Sequence, residues 1–345
     1  MVLLVMTRML NLFNGKLFSY LVAVNKGMPF ADARRYAKDA LQGSRAIPDS
    51  DVHNTVTESI QKYASIPVTF SHLNNFVNNF KDWLGIPVLD QFDADFSSGT
   101  TQAFDSFYFR HRHKKFRCFV GEYFYHLKTW ESNSVNWSFV TPEDPLSKGD
   151  VLVLSYPFCD TGNYSNISIL EECCSKDIPV LLDMCYYPLS DGSECDFRSI
   201  EKYVQCIDTI SFSLSKVFPV ANYRIGVRYT NKYINDGQKL HHSINYNNML
   251  SAFIGNCLIE KYSVSHIYNL YRSKQQDACK FFNLDLSDSV LFGIGDKKWN
   301  IYSRSNLLKV YQLDYDTKMF CNRICLNPVY EHWNLYQRFK NGYST

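Results

Sequence analysis

Apolar and polar positions follow two different rhythms through the middle of the chain. VLVLSY at 151–156, PVLLDMCYY at 179–187 and TISFSLSK at 209–216 are short, largely apolar and rich in β-formers, as strands buried on both faces should be. Between them, ISILEECCSKD at 167–177 and SIEKYVQC at 199–206 carry apolar residues at helical spacing. This succession predicts an α/β domain with a mostly parallel central sheet and right-handed crossovers. Upstream, the pattern predicts helices over 30–41, over 70–84 with Gly85 as the stop, and over 102–109 directly after the polar turn SSGTT. RHRHKKFR at 110–117 ends that last helix and leads into CFV. Residues 245–275 read mainly as helix, and FFNLDLSDSVLFGIG, NIYSRSN and MFCNRICL read as a smaller C-terminal α+β unit.

Composition narrows the function classes. A chain of 345 residues with 46% hydrophobic content can bury more than one core, so two domains are expected. A net charge of +2 argues against a globally basic nucleic-acid binder. The aromatic content of 16% suits an enzyme core or a buried subunit interface and excludes disorder. The 11 cysteines are scattered, odd in number and form no CxxC, which points to reduced thiols and a cytoplasmic location. The glycosylation triplets at Asn136, Asn163 and Asn166 are too short a pattern to place the chain outside the cell. MVLLVM at the start meets Arg8 almost at once and reads as a buried strand or helix start rather than a targeting segment. No run approaches the roughly 20 apolar residues of a membrane span, so no membrane association is expected. His111 and His113 sit among like charges that disfavour a metal, and RHRHKKFR reads as a solvated loop rather than a nucleic-acid contact. There is no P-loop and no glycine-rich dinucleotide fingerprint.

Ligands of open α/β sheets collect beyond the carboxyl ends of the strands. Asp183 and Lys216 fall at two such ends, Arg224 follows shortly after, and the Ser98-Gly99-Thr100 turn precedes a helix and can offer amides and hydroxyls to a phosphate. Singly, each has an ordinary explanation: a cap, a salt-bridge partner, a solvated amine. Together they describe an anion-binding α/β enzyme.

The order of the motifs says more. SSGTTQA at 97–103, LSYPFCDTG at 154–162, DMCY at 183–186 and SLSKVFPVANYRIG at 213–226 resemble the aspartate-aminotransferase-like, fold-type-I pyridoxal-phosphate enzymes of the class I/II aminotransferase superfamily. The resemblance covers residues 95–230, with a weaker echo in NRIC at 322–325. It implies an N-terminal segment at 1–45 packing with the small domain, a large cofactor-binding domain at 46–235, and a connecting helix with a small substrate-closing domain at 236–345.

The resemblance also implies roles. Lys216 would form the Schiff base with pyridoxal 5'-phosphate and afterwards move a proton at the substrate alpha carbon. Asp183 would face the ring nitrogen and keep it protonated, and Tyr186 would hydrogen-bond the phenolic oxygen. Ser98, Gly99, Thr100, Ser213 and Arg224 would hold the phosphate, and Ser215 is the small polar residue beside the lysine. Tyr123, in GEYFYH, is the ring expected to cover the cofactor, with Phe124 and Tyr125 as alternatives; His126 is either a neighbour of the site or a core histidine. Arg323 would grip the substrate alpha-carboxylate, with Arg304 as competitor. Cys159 stands where the family has an asparagine, which leaves a weaker donor at the phenolic oxygen and more of that contact to Tyr186. The implied activity is an aminotransferase acting on an alpha-amino acid and a 2-oxo acid, as a homodimer. The alternatives are another pyridoxal-phosphate reaction (lyase, decarboxylase, racemase or oxidase) or a relic site in an interaction protein.

Overall fold

A computed structural model describes residues 44–67, 69, 71–231, 234–296, 322–331 and 333–342. The expected helix at 30–41, the apolar N-terminus and Arg304 lie outside them. The chain divides into two compact units, the larger formed by residues 49–268 and the smaller containing the described residues 44–48 and those from 269 onward.

In the larger unit, seven strands among the described residues form one sheet. They are β1 (Asp93–Ser97), β2 (Lys115–Cys118), β3 (Trp137–Phe139), β4 (Asp150–Ser155), β5 (Val180–Asp183), β6 (Ile207–Ser213) and β7 (Gly226–Thr230), in the spatial order β1-β7-β6-β5-β4-β2-β3. β7 runs antiparallel to both neighbours, and every other pairing is parallel. Each residue of β4, β5 and β7 is buried, and in β4 and β5 the sequence shows this as continuous apolar runs instead of alternation.

The helices of this unit are α1 (Ser50–Ser65), α2 (Ser71–Leu84), α3 (Thr100–His111), α4 (Phe124–Ser132), α5 (Ile169–Ser175), α6 (Phe197–Lys202), α7 (Gly237–Ser243) and α8 (Met249–Lys261). α2 shows how the pattern becomes packing. Leu73, Phe76, Val77, Phe80 and Leu84 form one buried stripe. The stripe sets Phe76 against Phe96 of β1 at 6.0 Å and Phe80 against Phe212 of β6 at 6.2 Å. Gly85, at φ +63, ends the helix through a bond from its amide to the Lys81 carbonyl. α8 comes close to the same stripe: a Cβ on Gly255 would lie 2.6 Å from the Phe76 ring.

Two predicted strands run past their observed ends. The segment at 179–187 stops pairing at Asp183 and turns into a 3-10 turn over Tyr187–Leu189 that contains Pro188. The segment at 209–216 stops at Ser213, so Lys216 stands in a turn beyond the strand rather than at its end. There the Ser215 amide bonds the Ser213 hydroxyl at 3.1 Å, and the Phe218 amide bonds the Leu214 carbonyl at 2.9 Å, replacing the ladder.

RHRHKKFR differs from a simple solvated loop. Arg110 and His111 end α3 and pair with Asp208, while Arg117 is buried on β2 and bonds Asp150 at 2.6 Å. Arg112 and His113 are the exposed positions. At the sheet edge, Arg228 of β7 is fully buried and bonds Asp95 of β1 at 2.7 Å and Asp236 at 2.6 Å. Asp236 caps α7 through the Lys239 amide at 2.9 Å, so this cluster ties α7 to the sheet.

α9 (His266–Phe282) carries the chain into the smaller unit. That unit has an antiparallel sheet of β8 (Asp285–Leu286), β9 (Phe292–Gly295) and β10 (Asn322–Cys325), in the order β10-β9-β8. Gln275 of α9 donates to the carbonyls of Ser287, Ser289 and Phe292 at 3.0, 2.9 and 2.7 Å, fixing the connection into β9. α10 (Asn327–Glu331) and α11 (Trp333–Gly342) follow. No helix among the described residues is long and apolar enough to cross a membrane.

The buried Arg228–Asp95 pair yields a stability prediction. Asp95→Ala leaves a buried guanidinium short of one carboxylate and should cost about 3 kcal/mol in urea unfolding. A loss below about 0.5 kcal/mol, the level of an ordinary surface substitution, would show that Asp236 alone compensates Arg228.

Candidate active site

The last residues of β4 and β5 pair in register with β6, so Ser155, Asp183 and Ser211 form one cross-strand row. The Asp183 carboxylate is buried at 7% exposure. It accepts from the Cys185 amide at 3.2 Å and the Ser211 hydroxyl at 3.3 Å. Burial raises its pKa to about 6, against the pull of these donors and of the Lys216 amine. Lys216 is half-buried in the turn after β6 and acts electrostatically on both Asp183 and Cys185. An acid and an amine are therefore held over the same strand ends.

Beside them lies a cradle of small residues. Gly99 caps α3 at φ +76, and a Cβ on it would lie 2.2 Å from Arg224 Nη2. Only glycine lets the guanidinium pack this closely on the helix N-terminus. Arg224 itself takes a left-handed backbone at φ +56, a cost of about 1–2 kcal/mol. Its Nη2 donates to Thr101 Oγ1 at 3.0 Å and its Nη1 to the Ala221 carbonyl at 3.3 Å. Gly226 backs the same point: its Cβ would meet the Phe212 carbonyl at 2.5 Å and Gly99 Cα at 3.2 Å. Ser213 and Ser215 are buried, with their hydroxyls 2.7 Å apart, and Ser213 also bonds the Ile225 carbonyl at 3.0 Å. The Ser98 amide is taken by Gln102 at 2.7 Å, and Thr100 is buried with its hydroxyl 3.8 Å from Cys185 Sγ. A guanidinium, a helix N-terminus and three small hydroxyl residues thus meet at one place, a donor set suited to a phosphate.

Of the rings in GEYFYH, Tyr123 is the one beside these groups. Burial raises the pKa of its hydroxyl, and Cys159, Cys185 and Asp183 add to the effect while Arg224 opposes it. Tyr125 is engaged with both Asp105 carboxylate oxygens at 2.8 and 2.9 Å, and Lys128 lies over Phe124. His126 is a core histidine, fully buried, bonded to the Tyr108 hydroxyl and stacked on Trp130 at 5.9 Å. Burial lowers its pKa to about 3, so it stays neutral. Cys159 is buried, and its amide donates to Ser155 Oγ at 2.7 Å. Tyr186 is buried at the start of the 3-10 turn after β5. Arg323 belongs to the smaller unit, where it is buried on β10 with its guanidinium 4.5 Å above the Phe292 ring.

Four residues near the strand ends escape the motif reading. Cys185 lies within DMCY, between two residues already singled out. Ser211 precedes Ser213 by two, and the alternation Ser211, Ser213, Ser215 in TISFSLSK is a period-2 signal for one polar face. Thr101 follows Thr100 and receives the arginine bond. Glu122 carries no sequence signal beyond standing before Tyr123.

No protein-family model matches the chain, and no curated protein matches it. Solved structures do. Histidinol-phosphate aminotransferase from Clostridium acetobutylicum aligns with a TM-score of 0.57 at 12% identity, over 87% of this chain and 99% of that one. The pyridoxal-phosphate-bound C-S lyase from Staphylococcus hominis aligns with a TM-score of 0.60 at 12% identity, over 85% of this chain and 88% of that one. An aminotransferase from Staphylococcus aureus aligns with a TM-score of 0.59 at 13% identity, over 86% and 92%. The chain has the fold of the fold-type-I pyridoxal-phosphate enzymes.

The raised pKa of Asp183 sets a pH dependence in protein without cofactor. The unfolded carboxyl ionises near 3.8 and the folded one near 6. The protonated group therefore contributes stability below about pH 4 that is lost as pH rises through 6. Asp183→Asn should stabilise the cofactor-free protein by about 3 kcal/mol at pH 8 and by little at pH 4, read from urea midpoints. Equal effects at both pH values would contradict the assignment.

Proposed function

We propose that this protein is a pyridoxal-phosphate-dependent enzyme acting on an alpha-amino acid, and that its reaction is transamination with a 2-oxo acid. The observation that carries the reading is the meeting of Asp183, Lys216 and the Gly99–Arg224 cradle over the strand ends of a fold-type-I sheet. The chemistry of the donors fits the cofactor. A buried carboxylate with a raised pKa calls for a cation, and a protonated ring nitrogen is one. The cradle has room for no side chain at Gly99 and presents a permanent positive charge, as a phosphate requires.

When bound, pyridoxal phosphate supplies an aldehyde for amine attachment and a protonated ring that takes up the electron pair released at a substrate alpha carbon. Lys216 would be the attachment point, and its Nζ would carry the proton at the substrate alpha carbon. Asp183 holds the proton on the ring nitrogen, with Ser211 and the Cys185 amide fixing the carboxylate. Tyr123 covers the ring and excludes water. Ser98, Gly99, Thr100, Ser213, Ser215 and Arg224 hold the phosphate, with Thr101 orienting the guanidinium. Tyr186 and the Cys159 segment serve the phenolic oxygen.

A lyase is the second reading, favoured by the likeness to a C-S lyase. The same electron sink serves both reactions, and the orientation of the bond to be broken decides between them. We also propose a homodimer. Leu240, Ile244 and Tyr246, in and just after α7, are exposed apolar residues of the kind a subunit interface covers, with Tyr246 at 76% exposure. Every described cysteine is a free thiol, which supports a reducing, cytoplasmic setting.

The test is a panel of amino acids added to cofactor-loaded protein. Transamination predicts conversion of the cofactor absorbance to the pyridoxamine form and its return on adding a 2-oxo acid. Lys216→Ala should lower the rate by at least about a thousandfold, since nucleophile and proton carrier are lost together. Release of ammonia and a 2-oxo acid without that conversion would replace transamination by the lyase reading.

A further inference from the structure

We infer that Glu122 is a positioning residue, a single buried carboxylate that fixes both protein segments proposed to meet the cofactor ring and its phenolic oxygen. The inference rests on the cofactor reading above, and its geometry is independent of any bound group. Glu122 is 2% exposed. Its Oε1 accepts from the Ser155 amide at 2.8 Å, and its Oε2 accepts from the Ser155 hydroxyl at 2.6 Å. The same hydroxyl accepts from the Cys159 amide at 2.7 Å. One side chain therefore reaches from the residue before Tyr123 to the start of the loop that carries Cys159.

A second contact makes the two segments one unit. Gly121, at φ +103, lets the 119–123 segment lie against the Cys159 loop, and a Cβ there would stand 2.7 Å from Asp160 Cβ. The Tyr156 amide bonds the Asp183 carbonyl at 2.8 Å, so the base of the loop is anchored to β5 as well. Without the carboxylate, Ser155 would lose its acceptor, Cys159 would lose the orientation of its partner, and the segment ahead of Tyr123 would lose its side-chain link to Ser155.

The groups facing Glu122 are Asp183 from β5, Cys118 from the end of β2, and Tyr123 beside it on its own segment, with Asp160 across Gly121. Burial raises the Glu122 pKa to about 7; Ser155 and the Tyr123 amide oppose the rise, and the Asp183 charge adds to it. A cation arriving at Asp183 would cancel that addition. Glu122 should then release a proton as the cofactor binds near pH 7, and the ionised carboxylate accepts from both Ser155 donors at full strength.

Two measurements test this. In protein without cofactor, amide hydrogen exchange at Cys159 reads the brace directly. Glu122→Ala should speed it by about tenfold or more, as loss of a buried charge-assisted bond implies, while Glu122→Gln restores most of the protection. If Glu122→Ala does not fold, Ser155→Ala removes the hydroxyl link alone and should speed exchange likewise. In titrations of pyridoxal phosphate into wild-type protein near pH 7, calorimetry in buffers of different ionisation enthalpy should show proton release that Glu122→Gln reduces. Unchanged Cys159 exchange in Glu122→Ala or Ser155→Ala, or equal proton release in wild type and Glu122→Gln, would overturn the inference. Wild-type protein that binds no pyridoxal phosphate would instead defeat the cofactor reading and leave the exchange result to decide the brace.

Discussion

The structure turns on removing the Asp183 carboxylate from water without giving it a full protein counter-charge. The same cross-strand row shows the contrast. Asp183 is followed across the sheet by Ser211, then Arg228, then Asp95. At the far end of the row, Arg228 and Asp95 are both fully buried and bonded to each other. At the near end, Asp183 has the Cys185 amide and thiol and the Ser211 hydroxyl as donors and a lysine close by, and burial still raises its pKa to about 6. A structural charge is matched inside the protein. The incompletely matched one, at the open end of a parallel sheet, is the observation from which a cationic ligand group is proposed.

The rest of the site follows from placing groups around that carboxylate. β6 must stop early so that Lys216 stands on a turn, and the serines at 211, 213 and 215 provide the bonds that end the ladder and steady the acid. β7 must begin with glycine so that it passes behind Gly99, and Arg224 must adopt a left-handed backbone to swing its guanidinium onto the start of α3. These are local departures from regular structure, and each sits within the stretch that meets the proposed cofactor.

Much of this was legible in the chain. β4 and β5 are almost wholly apolar runs because their surroundings bury both faces, and β6 alternates apolar residues with buried Thr209, Ser211 and Ser213, so the existence and parallel pairing of the three could be read directly. β1, β2, β3 and β7 were harder. β3 is three residues long, and β1 and β7 carry Asp95 and Arg228, whose charges look exposed until their pairing is seen. The strand ends at Asp183 and Ser213 were overrun because serine and proline effects act through hydrogen bonds and ring geometry that apolar counting does not weigh. Asp183, Lys216, Arg224 and the Gly99 turn were legible because their order follows a family pattern. Glu122 was not, since its meaning depends on Ser155, which lies far away in sequence and adjacent in space.

The central claim is that Lys216 is the amine to which pyridoxal phosphate attaches. Protein loaded with the cofactor, reduced with borohydride, digested and mapped by mass spectrometry tests it directly. The account predicts one dominant modified peptide, carrying the reduced pyridoxyl phosphate on Lys216. Modification spread over surface lysines with Lys216 unlabelled would contradict it.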